Sequence, residues 1–132
     1  MGASGQVVLL IEDNASNMRF FHDLLQVHGC KVMQAMDGTS GWHMARELRP
    51  DVILLDVQLP DVSGLDVITW LKADDDLSSI PVIALTAFAM NGDREMFLQK
   101  GFDAYISKPV SIPDFLRVVD GLLDTNVTYS VA

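Results

Sequence analysis

Four short apolar runs in this chain each end in polar or charged side chains, and this pattern constrains the fold more than any other feature. The runs are Val7–Ile11, Val52–Leu55, Val82–Leu85 and Ala104–Ser107. In the same order, they are followed by Glu12 with Asp13, by Asp56, by Thr86, and by Lys108 with Pro109. The carboxyl ends of parallel strands meet at one edge of a sheet. Parallel pairing would therefore gather three carboxylates, a hydroxyl and an ammonium group at one edge.

The three carboxylates predict a site for a divalent cation. Glu12, Asp13 and Asp56 would repel one another if they packed together with no cation among them. Oxygen ligands suit a hard cation, and Mg²⁺ is the natural candidate. Simpler alternatives stay open for each residue, since Asp56 could cap a turn and the acidic pair could begin a helix, where the helix dipole favours negative charge.

The rest of the chain alternates strand and helix patterns with short connections. We predict strands at Val7–Ile11, Lys31–Met36, Val52–Leu55, Val82–Leu85 and Ala104–Ile106, and helices at about 15–28, 38–48, 63–73, 92–100 and 113–123. This order is typical of an α/β fold, a doubly wound parallel sheet of five strands covered by five helices. In the common strand order 2-1-3-4-5, a crevice opens at the carboxyl ends of strands 1 and 3.

Length, charge and cysteine content narrow the class of protein. The 132 residues predict one domain at 7–124, flanked by tails at 1–6 and 125–132. The net charge of −9 argues against nucleic-acid binding, and no apolar stretch approaches the length of a membrane span. The single cysteine, Cys30, fits a reducing compartment, so we expect a cytoplasmic protein.

Thr86 and Lys108 suggest that the predicted edge handles phosphate. A phosphoryl group bonded to Asp56 would leave charged oxygens in need of partners, and Mg²⁺, the Lys108 ammonium and the Thr86 hydroxyl would supply them. Thr86 could instead be a plain β-branched strand end, and Lys108 a solvated lysine. Tyr105 is either a half-buried aromatic residue or a side chain that responds to Thr86.

In this order and spacing, the residues resemble the receiver domain of two-component response regulators over about Val7–Leu123, which implies a flavodoxin-like fold. The resemblance lies in an acidic pair, a phospho-acceptor, a switch threonine, a switch aromatic residue and a lysine: Glu12 and Asp13, Asp56, Thr86, Tyr105 and Lys108. Segments 71–77, 86–90 and 104–109 look like the DivK type. Regulators of that type are single-domain proteins of bacterial cell-cycle and cell-fate signalling.

The resemblance implies a signalling phospho-acceptor rather than an enzyme with a separate substrate. A sensor histidine kinase or a histidine phosphotransfer protein would phosphorylate Asp56. Mg²⁺ would be held by Asp13, Asp56 and the backbone carbonyl of Gln58, with Glu12 acting mainly through water. Thr86 and Lys108 would bind the phosphoryl oxygens, and movements of Thr86 and Tyr105 would reshape the face of helix 4, strand 5 and helix 5.

Two surfaces are candidates for partner binding. The kinase is expected to meet the first helix near Asn17 and Phe21. Met90, Met96 and Phe97, on or beside helix 4, suggest an adaptable surface for a downstream protein. Because only a short tail follows the last predicted helix, the output is expected to be binding to another protein.

Three other functions share parts of this pattern. A receiver-fold module that binds partners without phosphorylation would be favoured by loss of the acidic pair, Asp56 or Lys108, and all are present. A phosphohydrolase with an aspartyl-phosphate intermediate, of the haloacid dehalogenase type, commonly has a second Asp where this chain has Gln58. A flavodoxin-like electron carrier would need a phosphate-binding Ser/Thr/Gly loop after the first strand, and none is found there.

Overall fold

A five-stranded parallel sheet forms the centre of the protein, and the computed structural model describes residues 5–87 and 93–123. The strand order is β2-β1-β3-β4-β5, and all four pairings are parallel. The strands are β1 Val7–Ile11, β2 Lys31–Ala35, β3 Val52–Asp56, β4 Val82–Thr86 and β5 Ala104–Ser107. The helices are α1 Ala15–Val27, α2 Gly38–Leu48, α3 Gly64–Ala73, α4 Asp93–Lys100 and α5 Ile112–Leu123. The predicted fold class and strand order are confirmed.

The predicted ends of the elements agree with the structure to within one residue wherever the residues are described. β3 and β4 are each one residue longer than predicted, because Asp56 pairs with Leu85 and Thr86 pairs with Ser107. Asp56 and Thr86 are therefore the last residues of their strands rather than the first residues of loops. The predicted start of helix 4 at Gly92 lies outside the described residues.

Each face of the sheet carries its own apolar core. Leu10 and Leu54 point into the core under α1 and α5, whereas Leu9 and Ile53 point into the core under α2, α3 and α4. Successive side chains of a strand point to opposite faces, so a strand buried on both faces is apolar throughout. The three central strands β1, β3 and β4 are therefore held in place by packing on both faces. The polar residues of the carboxyl edge lie at the ends of these strands or directly after them.

Side-chain caps fix the starts of the helices that follow β1 and β3. Asn14 caps α1 by accepting a hydrogen bond from the backbone N–H of Asn17 at 2.9 Å. Ser63 caps α3 and forms a capping box with Asp66. Both helices thus begin close to the carboxyl edge. Within residues 5–87 and 93–123, each helix is too short or too polar to span a bilayer.

Candidate functional site

Three carboxylates and one ammonium group meet at the carboxyl edge of the sheet. Oxygens of Glu12, Asp13 and Asp56 all lie within 4.8 Å of one another. Lys108 Nζ donates to Asp56 Oδ2 at 2.7 Å and to Glu12 Oε1 at 3.1 Å. The structure thus shows the predicted convergence of these four side chains.

The site has a buried inner side and an open outer side. Glu12 is 0% exposed and Asp56 is 4% exposed, whereas Asp13 lies on the surface. An open cleft of about 590 Å³ leads to these groups, and Gln58 and Lys108 line it. A small ligand can therefore reach Asp56 through this cleft.

Backbone N–H groups orient the two buried carboxylates. The N–H of Asn14 donates to Glu12 Oε2 at 3.1 Å, and the N–H of Gln58 donates to Asp56 Oδ1 at 2.8 Å. Each carboxylate thus has one oxygen bound to the backbone and the other bound to Lys108. The polypeptide after β1 and β3 therefore fixes both groups before any ligand arrives.

Burial and charge act in opposite directions on the ionisable groups. Burial raises the pKa of Glu12, and the charge of Asp56 adds to that rise, while hydrogen bonds from Asn14 and Lys108 oppose it. Burial by itself lowers the pKa of Lys108, but its hydrogen bonds to Asp56 and Glu12 outweigh this, so its pKa is raised. Lys108 therefore stays protonated in the site. A charged Glu12 is unfavourable there, and a further positive charge would lower this cost.

This donor set fits Mg²⁺. Three carboxylate groups lie within reach of one ion, and hard oxygen ligands are what Mg²⁺ binds. Burial and the nearby charge of Asp56 raise the pKa of Glu12 even beside the Lys108 ammonium, and a bound cation would oppose that rise. Asp13 lies on the open side, where water can complete the coordination of an ion.

The two predicted switch residues lie on β4 and β5, the two strands that follow β3 across the sheet. Thr86 is buried at the end of β4, and its carbonyl accepts a hydrogen bond from the N–H of Lys108 at 2.8 Å. The Lys108–Pro109 peptide bond is cis. Tyr105 is half-buried, and its ring stacks on that of Phe97 with 5.2 Å between centroids. A displacement of Tyr105 would therefore disturb the packing of α4.

Of the predicted interaction residues on α1, one lies at the site and one does not. Asn17 lines the cleft beside the carboxylates. Phe21 is only 2% exposed because its ring packs on Phe115 in the core, 5.3 Å between centroids. The prediction that Phe21 offers a surface to a partner is wrong for this conformation. Its neighbour Phe20, 42% exposed, was not singled out by the sequence pattern.

The predicted surface on helix 4 needs a similar correction. Phe97 is 3% exposed because it packs against Phe102 and Tyr105, so it is a core residue. Met96 is half-buried against the same core. Met90 lies outside the described residues. Leu98 is the exposed apolar side chain of α4.

Asp61 is a further residue of this region that the sequence pattern did not reveal. It lies in the loop of residues 57–63 between β3 and α3, and it accepts hydrogen bonds from Gly38 and Thr39 at the start of α2. No local signal marks it, because its partners are 22 and 23 positions away in the chain.

Comparison with known proteins assigns the chain to a family. The model of the response regulator receiver domain matches residues 8–120. The chain belongs to the response regulator receiver family. It is a signalling protein of the two-component type, and its fold is that of the receiver domains.

Two related proteins from Brucella support the assignment. The polar-differentiation response regulator DivK of Brucella anthropi is 51% identical over 116 residues, which cover 88% of this chain and 94% of the relative. The DivK of Brucella ovis is 49% identical over the same share of both chains. The predicted resemblance to the DivK type is confirmed.

One related structure contains a bound metal. The receiver domain of a sensor histidine kinase from Pseudomonas aeruginosa PAO1 is 34% identical, with a TM-score of 0.84, over 91% of this chain and 98% of that chain. Its crystal structure has a magnesium ion coordinated in the active-site cleft. The receiver fold itself is therefore compatible with Mg²⁺ in that cleft.

Proposed function

We propose that this receiver accepts a phosphoryl group on Asp56 in a Mg²⁺-dependent reaction, and that phosphorylation changes its binding to a downstream protein. The donor is a sensor histidine kinase or a histidine phosphotransfer protein. One observation carries the proposal: Asp56, nearly buried at the end of β3, lies 2.7 Å from the Lys108 ammonium within a group of three clustered carboxylates. The receiver unit extends over residues 7–124.

The reaction is a transfer between two nucleophiles. An oxygen of Asp56 forms a bond to phosphorus while the P–N bond of a phosphohistidine breaks, and the electron pair stays on the imidazole nitrogen. The Lys108 ammonium already lies at one oxygen of Asp56 and is placed to bind a phosphoryl oxygen. Thr86 supplies its hydroxyl to another oxygen. Because Lys108 stands in place beforehand, this donor needs little reorganisation during transfer.

Asp13, Asp56 and the backbone carbonyl of Gln58 would hold Mg²⁺, with Glu12 acting through water. The ion, when bound, neutralises charge on the phosphoryl oxygens. Glu12 lies buried behind Asp56 and bonds to Lys108, so it also holds the ammonium in the site. The N–H of Gln58 keeps Asp56 Oδ1 oriented at 2.8 Å.

The output follows from the packing of β4, β5 and α4. Thr86 moves toward the phosphoryl group, and Tyr105 follows it inward. Since Tyr105 stacks on Phe97 of α4, this movement repacks the face formed by α4, β5 and α5. The name of the Brucella relatives supports a role in polar differentiation, and we extend it to bacterial cell-cycle or cell-fate signalling in the cytoplasm.

Phosphorylation by a small phosphodonor tests the proposal. Acetyl phosphate with Mg²⁺ is expected to give a single acid-labile adduct, visible as one phosphoryl group in the intact mass. Asp56→Asn should abolish the adduct, and Asp75→Asn, an equal charge change on an exposed residue, should keep it. A folded wild-type protein that gains no adduct from acetyl phosphate, nor from a receiver-specific histidine kinase, would instead support the module that binds without phosphorylation.

A further inference from the structure

A single side chain ties the loop of residues 57–63 to helix α2. Asp61 Oδ1 accepts a hydrogen bond from the N–H of Gly38 at 2.8 Å. Asp61 Oδ2 accepts from the N–H of Thr39 at 3.0 Å and from Thr39 Oγ1 at 2.7 Å. The first backbone N–H groups of a helix have no partner within the helix, and a carboxylate is favoured there by the helix dipole. Asp61 thus caps α2 from another part of the chain.

The contact between loop and helix is close as well as polar. A Cβ added to Gly38 would lie 2.5 Å from Val62 Cγ2 and 2.8 Å from Val67 Cγ2. The start of α2 therefore packs directly on the loop and on α3. The hydroxyl of Thr39 contributes most to a lowered pKa of Asp61, although the carboxylate is exposed. The carboxylate form of Asp61 is the one that binds α2.

The same loop is fixed at its two ends next to Asp56. The N–H of Gly64 donates to the carbonyl of Val57 at 2.8 Å, and the N–H of Gln58 donates to Asp56 Oδ1 at 2.8 Å. A Cβ on Gly64 would lie 2.6 Å from the carbonyl oxygen of Asp56. Asp61 holds the middle of the loop, three residues after Gln58.

We propose that Asp61 is a positioning residue for the Mg²⁺ site, holding the loop of residues 57–63 against α2 so that the Gln58 carbonyl faces the carboxylates. The inference rests on the proposed function, because it assumes that Gln58 supplies a ligand. Asp61 itself touches neither the ion nor the phosphoryl group. Its effect is transmitted through the backbone of three residues.

The direct test is the affinity for Mg²⁺ measured by titration calorimetry on the unphosphorylated protein. Asp61→Asn is expected to weaken Mg²⁺ binding about tenfold, the effect typical of groups that orient metal ligands. Asp75→Asn removes the same charge beyond the far end of α3, and its affinity should stay within about twofold of wild type because salt screens exposed charges.

A second variant separates geometry from charge. Thr39→Val removes one hydrogen-bond donor to Asp61 with no change in charge, and it should weaken Mg²⁺ binding by a smaller factor in the same direction. Amide hydrogen exchange supplies an independent readout, because the N–H groups of Gly38 and Thr39 should exchange faster in Asp61→Asn. In phosphorylation assays, the Mg²⁺ concentration at half-maximal rate should rise, whereas the rate at saturating Mg²⁺ should be close to that of wild type.

Each result bears on the inference. If Asp61→Asn unfolds at a lower temperature but binds Mg²⁺ like Asp75→Asn, Asp61 only stabilises the fold and the inference is wrong. If Asp61→Asn does not fold, an unchanged Mg²⁺ affinity in Thr39→Val overturns it. If the folded wild type binds no Mg²⁺, the proposed Mg²⁺ site is wrong and the inference fails with it. If wild type binds Mg²⁺ and Asp61→Asn binds it equally well, only the inference fails.

Discussion

Lys108 Nζ lies 2.7 Å from Asp56 Oδ2, and the same ammonium reaches Glu12 Oε1 at 3.1 Å. Residues from the ends of β1 and β3 and from just beyond β5 are thereby joined by a single positive charge. Lys108 comes 52 positions after Asp56 and 96 after Glu12, so only the parallel sheet brings them together. The geometry makes Lys108 a structural counter-ion before it can act as a ligand for phosphate.

Removing that counter-ion should destabilise the metal-free protein. Breaking a buried ion pair costs about 3–5 kcal/mol. We expect Lys108→Met to lower the free energy of unfolding by about 2 kcal/mol, because Glu12, whose pKa is raised, can take up a proton. Urea unfolding without Mg²⁺ checks this. Mg²⁺ should restore more stability to the variant than to wild type. Lys100→Met, at an exposed lysine of α4, is the control, and equal stability of the two variants would refute the account.

Gly64 should not tolerate a side chain. Its Cβ would lie 2.6 Å from the carbonyl oxygen of Asp56 and 2.7 Å from Val57 Cα, and both neighbours are backbone atoms. Gly64→Ala should cost about 1–3 kcal/mol in stability, since the backbone beside Asp56 has to shift. It should also slow phosphorylation by acetyl phosphate.

Gly121→Ala is the matched control for Gly64→Ala. Gly121 lies in α5 with nothing within 4 Å of an added Cβ. Alanine is the better helix former, so Gly121→Ala should raise stability by about 0.5–1 kcal/mol. Thermal unfolding of both variants decides the matter, and a Gly64→Ala protein as stable as wild type would show that the loop has room to move.

Phe97 should behave as a core residue and not as a docking residue. Its ring packs edge-on against Phe102 at 5.7 Å and stacks on Tyr105 at 5.2 Å, both measured between centroids. Phe97→Ala should lower the free energy of unfolding by about 3–5 kcal/mol. Leu98→Ala, next in the chain but 41% exposed, should change it by less than about 1 kcal/mol. Chemical denaturation of the two variants gives both numbers, and similar small losses would contradict the packing.

The contribution of Asp61 to stability should depend on pH. Its pKa in the folded protein is lowered from the ordinary value of 3.8, with the Thr39 hydroxyl as the largest cause. A group with a lowered folded pKa stabilises the protein above its unfolded pKa, and this stabilisation is lost as the pH falls. Wild type should therefore exceed Asp61→Asn in stability at pH 6, and the difference should shrink below pH 3.8. A difference that is the same at pH 6 and pH 3 would exclude this carboxylate as its source.

The strands and their order were predictable because continuous apolar runs such as Leu9 to Ile11 leave few alternatives. A run of this kind suits a strand buried on both faces, and short connections rule out most other topologies. The charged residues that follow were then predictable as neighbours at one edge. The predicted lengths of β3 and β4 are each one residue too short. Asp56 and Thr86 belong to these strands because they pair with residues of neighbouring strands, which the local sequence does not reveal.

Burial on helices was predicted less well. Phe20 and Phe21 are adjacent aromatic residues, and successive residues of a helix point about 100° apart, so one of them had to face the sheet. Their similar chemistry gives no local sign of which one. The apolar residues Met90, Met96 and Phe97 on or beside helix 4 suggest a surface, whereas Phe97 packs on Tyr105, which lies eight positions later in the chain. Asp61 was missed for the same reason, because its hydrogen-bond partners are distant in the sequence.

The measurement that tests the central claim most directly is chemical trapping of the phosphorylated residue. Protein treated with acetyl phosphate and Mg²⁺ is reduced with sodium borohydride, which converts an aspartyl phosphate to homoserine, and the position is read by peptide mass spectrometry. The account predicts homoserine at Asp56 and its absence when Mg²⁺ is withheld. Homoserine at Asp13, or no conversion at Asp56 in protein that carries the phosphoryl adduct, would contradict it.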